Sequence, residues 1–109
     1  MTASTANGEQ TATIDTEHTL QTVTSAGSYI LLVDTNNMAL GDKLTLRAKV
    51  KVRSVGTTRL AYDASYVHAQ GEPVKISIPI ASTNEVVFTL EQTDGTGRAF
   101  PWEVIQLDA

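Results

Sequence analysis

Asp42-Lys43-Leu44-Thr45-Leu46-Arg47-Ala48-Lys49-Val50-Lys51-Val52-Arg53 alternates apolar and polar side chains almost without a fault. Leu44, Leu46, Ala48, Val50 and Val52 share one parity; Lys43, Thr45, Arg47, Lys49, Lys51 and Arg53 share the other. Successive side chains of a strand point to opposite faces, so the run predicts a long strand with one dry and one cationic face. That decides for β structure. Threonine occurs 16 times, and its branched Cβ suits a pleated surface and disfavours helix. Helical periodicity never lasts beyond a turn or two, as at Met38-Ala39-Leu40.

Working outward, further strands are expected over 17–24, 28–34, 57–67, 73–80, 85–92 and 98–107, with the first run itself spanning 42–53. Turn-forming residues separate them: Ser25-Ala26-Gly27, Thr35-Asn36-Asn37, Val55-Gly56, Gln70-Gly71-Glu72-Pro73, Ser82-Thr83-Asn84 and Thr93-Asp94-Gly95-Thr96-Gly97. Asp94-Gly95, between Val86-Phe88-Leu90 and Phe100-Trp102-Val104, reads as a hairpin. Val74, Ile76, Ile78 and Ile80 form another alternating face, and Pro79 on its polar side marks an edge or a bulge. About seven short strands at this spacing predict an all-β fold, an antiparallel β-sandwich or small jelly roll. Apart from Met1, residues 1–16 hold only Ile14 as a bulky apolar group. They read as an extended N-terminal arm ahead of a sandwich domain over 17–109, and a neighbouring subunit is expected to hold the arm.

At 109 residues there is room for one domain with a core of its own. The absence of cysteine excludes a disulfide scaffold, a thiolate metal site and a cysteine nucleophile, and fits a reducing cytoplasm. The longest apolar run, Tyr29 to Val33, is too short to cross a bilayer. Residues 1–16 lack the basic and apolar regions of a signal peptide. A net charge of −4 argues against a general nucleic-acid binder. Six of the eight basic residues nevertheless fall between positions 43 and 59.

Candidate chemistry is thin. His18 and His68 are fifty residues apart and read as ordinary strand residues. Asp34-Thr35-Asn36-Asn37 and Asp42 have the flavour of a calcium loop, but Met38-Ala39-Leu40 stands where ligands should continue, so these residues read as turn formers. No nucleophile elbow, phosphate loop or metalloprotease motif occurs. Catalysis, a cofactor and a metal are therefore not expected. Tyr62 and Tyr66 share parity with Leu60 and Ala64 and read as core. Trp102 reads as an anchor of the core or of a subunit contact, with a sugar platform as the alternative. The stripe Lys43, Arg47, Lys49, Lys51, Arg53 has two readings. It guards an edge strand against aggregation, or it docks on an acidic partner surface, fixing register and orientation.

Tyr29-Ile30-Leu31-Leu32-Val33-Asp34-Thr35-Asn36-Asn37-Met38-Ala39-Leu40-Gly41-Asp42 and Gln92-Thr93-Asp94-Gly95-Thr96-Gly97-Arg98-Ala99-Phe100-Pro101-Trp102 resemble small β-rich virion proteins of tailed bacteriophages. The likeness spans most of 17–107 and consists of strand and turn residues. It implies a structural protein present in many copies, a capsid decoration or cement protein that binds between major capsid subunits and stabilises the head. Synthesis in the host cytoplasm, location in the virion, major capsid or other virion proteins as partners, and a homo-oligomer (trimer or dimer) follow from the resemblance. Neither nucleic acid nor membrane is an expected partner. The alternatives are a binding module, such as a tail, fibre or carbohydrate-recognising domain, and a neck or tail component. An exposed Trp102 favours the module; a buried one favours the structural protein.

Overall fold

The computed structural model describes residues 3–107 and places nine strands among them. They are β1 Ala3–Thr11, β2 Glu17–Val23, β3 Gly27–Asp34, β4 Lys43–Lys51, β5 Arg59–Val67, β6 Val74–Ile76, β7 Ile80–Ser82, β8 Glu85–Asp94 and β9 Ala99–Gln106. One sheet, sheet A, runs β1-β9-β3-β6, with β7 also on β3; the other, sheet B, runs β2-β8-β4-β5. Every pairing is antiparallel. Counting β6 and β7 as one interrupted strand, the pairs nest: β4 with β5, β3 with β6 and β7, β2 with β8, β1 with β9. A long hairpin rolled on itself gives this order. The sandwich is a jelly roll.

Between the sheets lie Tyr29, Leu31 and Val33 of β3, Leu44, Leu46 and Ala48 of β4, Val86, Phe88 and Leu90 of β8, and Phe100 and Val104 of β9, all buried. Covering each large side chain contributes roughly 1.5–3 kcal/mol. The alternation of 42–53 is thus realised as β4, with Val52 exposed because it lies past the strand's end.

Four details depart from the sequence reading. Most of the expected arm is β1, paired along β9 from Thr11–Ala99 to Ala3–Gln106, with a bulge between Ser4 and Ala6. The anchor in this structure is the chain's own β9, where the sequence points to a neighbour. Ladder hydrogen bonds use backbone groups, so a polar segment can form them without apolar side chains. Residues 73–80 split at Pro79 into β6 and β7, both at the edge. Val74, Ile76 and Ile78 face solvent there, while Ser77 and Ile80 are buried.

The Asp94-Gly95 turn is not a hairpin. β8 and β9 belong to different sheets, so it carries the chain across the sandwich. Among the described residues, the one hairpin joining consecutive strands of a sheet is β4–β5. A register shift in it pairs Ala48 with Tyr62 and Lys49 with Leu60, leaving Ala61 as the extra residue. Leu60 is thereby turned out to solvent, while Tyr62 and Tyr66 pack against the core as expected.

Candidate functional site

The cationic stripe sits in the middle of sheet B, because β4 lies between β8 and β5. Guarding an edge is therefore not its role. Its charges meet acids brought in by the neighbouring strands. Arg47 Nη1 contacts Glu91 at 2.8 Å and Glu17 at 3.4 Å, and its Nε lies 3.6 Å from Asp63. Lys49 Nζ reaches Glu17 at 3.1 Å. Glu17 and Glu91 are direct cross-strand partners, a like-charged pair that would repel without Arg47 between them. The Thr89 hydroxyl, which donates to Glu17 at 2.6 Å, does most to hold that carboxyl below its ordinary value, with Lys49 and Arg47 assisting against burial. The hydrogen bond to Glu91 leads in raising Arg47. Lys51 stands opposite Glu85 and Lys43 opposite Asp94 in the register, while Arg53 is exposed beyond the strand. Of the five stripe residues, Arg47 and Lys49 serve their own sheet.

A second polar group ties one end of the roll. Asp42 is buried, and its Oδ2 accepts from the Ala39 amide and from Arg98 Nε while Oδ1 accepts from the Thr96 amide. Burial by itself would raise this carboxyl; the Ala39 amide, Arg98 and the Thr96 amide outweigh it and hold the group below its ordinary value. Gln92, fully buried, donates to the Asp94 and Thr96 carbonyls and accepts from the Arg98 amide. Asp34 closes an Asx turn onto the Asn36 amide, as its turn-former reading requires. These contacts hold loops together. Among the described residues every buried side-chain nitrogen and oxygen has a partner, and no group of three or more His, Asp or Glu residues could hold a metal.

The histidines lie in separate loop contacts. His18 Nε2 accepts from the Thr13 amide, with Gln10 on Nδ1, at the β1–β2 connection. His68 Nδ1 accepts from the Gly41 amide. A cleft of about 460 Å³ opens between the end of β4 (Val50, Lys51, Val52) and Gly27, Ser82 and Thr83. The Ser82 hydroxyl is committed there to the Lys51 carbonyl and the Asn84 and Glu85 amides.

The outer face of sheet A is what the sequence does not reveal. Cross-strand partners share a face, so Ile30 with Ile105 and Leu32 with Ile76 form a continuous apolar stripe there. Val74 at 51%, Ile76 at 59% and Ile78 at 56% exposure extend it to the edge. Asp34, Glu103 and Glu9 rim it, and no lysine or arginine belongs to it among the described strand residues. The one cation of β6, Lys75, reaches the Tyr66 ring at 4.9 Å. Bonds from Thr35 to Pro73 and from Ser77 to Leu31 put the N–H and C=O groups of Val74 and Ile76 on the free edge. Brevity and the flanking Pro73 and Pro79 blunt that edge against strand addition. The available surface is the face. Trp102 is half-buried against the core, its indole over Gly8, and it lines a depression of about 210 Å³ with Leu32, Asp34 and Glu103.

No protein-family model, no curated protein and no solved structure matches this chain. No helix among the described residues is long and apolar enough to cross a membrane.

Proposed function

We propose that this chain is a structural virion protein of a tailed bacteriophage, a decoration or cement protein that binds between major capsid subunits and stabilises the head. It acts by adhesion and performs no catalysis. The observation that carries the reading is the uncovered apolar face of sheet A. Tyr29–Val33 is apolar on both of its sides, the pattern of a strand covered on both sides. The core covers Tyr29, Leu31 and Val33; a partner covers Ile30 and Leu32. The acidic rim of Asp34, Glu103 and Glu9 favours a partner surface with an apolar centre and a lysine- or arginine-rich border. This reverses the charge expected from the stripe on β4. Jelly rolls occur among capsid proteins, lectins and cupins alike, so fold alone does not choose between them. The phage resemblance of 29–42 and 92–102 supports the virion reading.

The test is cosedimentation of the purified chain with phage heads that lack it. Binding by the wild type, lost in Ile76→Glu and retained in Arg47→Met, is the expected result. No binding to any head preparation would sink the proposal. A second reading is a carbohydrate-recognising module, favoured by Asp34 and Glu103 on the lining of the 210 Å³ depression. Glycan-array binding that disappears in Glu103→Gln would select it.

A further inference from the structure

Strand β1 is attached differently from every other long strand. None of its described side chains belongs to the core; Thr5, Asn7, Gly8, Glu9 and Thr11 are exposed, and only Ala6 and Gln10 are half-buried. It is held by its ladder along β9, closed at its end by the Ala12 amide donating to the Arg98 carbonyl. One notch fixes the register, Gly8 beneath the Trp102 indole, an edge glycine covered by a cross-strand aromatic. Everything that β1 touches on β9 would be presented identically by a second copy of the chain.

The connection permits the exchange. Residues 12–16 join β1 to β2, and fully extended they span roughly 17 Å. In the closed form Asp15 is held at a φ of 63°, a left-handed conformation an extended linker does not require. The Thr13–His18 and Asp15–Gln92 contacts hold that turn. We propose that β1 is an exchangeable strand: a second copy of this chain inserts its own β1 along β9, and the two exchange edges. This deepens the adhesive reading by naming a self-contact, but rests only on the attachment of β1. A short tether keeps the intramolecular strand at an effective concentration in the millimolar range. Dilute protein is therefore closed, and exchange prevails where copies are crowded to comparable density, as in a many-copy assembly.

The chain has no cysteine, which makes the test clean. Because Ala12–Arg98 is a bonded pair and bonded pairs alternate, Asn7–Glu103 is a non-bonded pair, with Cα atoms about 4.5 Å apart and suited to a disulfide. Purified N7C and E103C variants are mixed, incubated at about millimolar total concentration and oxidised mildly. Exchange predicts mixed disulfide dimers several-fold in excess of either variant's self-crosslink, falling away on dilution to micromolar before oxidation. A mixture that crosslinks no more than the separate variants overturns the proposal. A second variant deletes residues 13–15, so that β1 cannot reach its own β9. It should be a dimer or larger by light scattering at micromolar concentration; a folded monomer with β1 open to protease overturns the proposal. Both measurements use the isolated chain, so failure here leaves the head-binding test standing, and failure there leaves this one standing.

Discussion

Arg98 Nε donates to Asp42 Oδ2 at 2.8 Å, across the turn that carries the chain from sheet B to sheet A. The pair joins the β3–β4 and β8–β9 connections, and Asp42 is only 1% exposed. Asp42→Asn keeps the shape and removes the charge, and should cost about 2 kcal/mol at pH 7 by chemical denaturation. The pH dependence has a definite sign. The folded carboxyl lies below its ordinary value of 3.8. Its contribution is therefore complete above that value and is lost as pH falls through the lower folded one. The gap between wild type and Asp42→Asn should narrow as pH is lowered past 3.8.

Arg47 separates two carboxylates that face each other across the ladder. Arg47→Met should destabilise by about 1 kcal/mol, since these pairs are partly screened by solvent. In the Glu91→Gln background, where the like-charged contact with Glu17 is gone, the same substitution should cost measurably less. A double-mutant cycle in urea reads the coupling. Equal costs in both backgrounds would mean that Arg47 does not hold the acids together.

Gly95 and Gly71 form a matched pair of turn glycines. Gly95 has a φ of 87°, and a Cβ there would run into the Asp42 carboxylate; Gly71 has open space around it. Gly95→Ala should cost about 2–3 kcal/mol, from backbone strain and displacement of Asp42. Gly71→Ala should lie within about 0.5 kcal/mol of wild type. Thermal melts of the two variants decide the point.

Leu31 and Ile76 lie on opposite faces of sheet A. Leu31 is 1% exposed and Ile76 59% exposed. Leu31→Ala should cost roughly 2–5 kcal/mol through the cavity it leaves. Ile76→Ser should leave stability within about 0.5 kcal/mol while weakening head binding. Substantial unfolding by Ile76→Ser would show that the outer face supports the fold and is not held in reserve for a partner.

Much of the architecture was legible from period alone. The parity of Leu44, Leu46 and Ala48 is the core parity of β4, and the strand boundaries for β2 and β3 fall within a residue of their expected places. Period says that two faces differ, but not which is inside; Val74, Ile76 and Ile78 alternate perfectly and point outward, because Ser77 takes the buried place. Turn residues say that the chain reverses, but not into which sheet. Asp94-Gly95 reads as a hairpin because the contacts that send it across the sandwich, Asp42 with Thr96 and Arg98, come from more than fifty residues away in the sequence. The acids that meet the cationic stripe were hidden for a similar reason. The cations of β4 are local and visible, whereas Glu17, Asp63 and Glu91 reach them only through pairing. The polar composition of β1 concealed a strand whose pairing depends on backbone groups.

Because the pairs nest, β1 and its partner β9 are far apart in the order of synthesis. The ribosome releases Thr11 long before its ladder partner Ala99, and at about 5–20 residues per second the first strand waits several seconds for β9. An ordinary apolar strand left unpaired for that interval would invite aggregation. A segment of threonine, alanine, asparagine and glycine can wait in water without harm, which gives the unremarkable composition of the N-terminus a role during the birth of the protein.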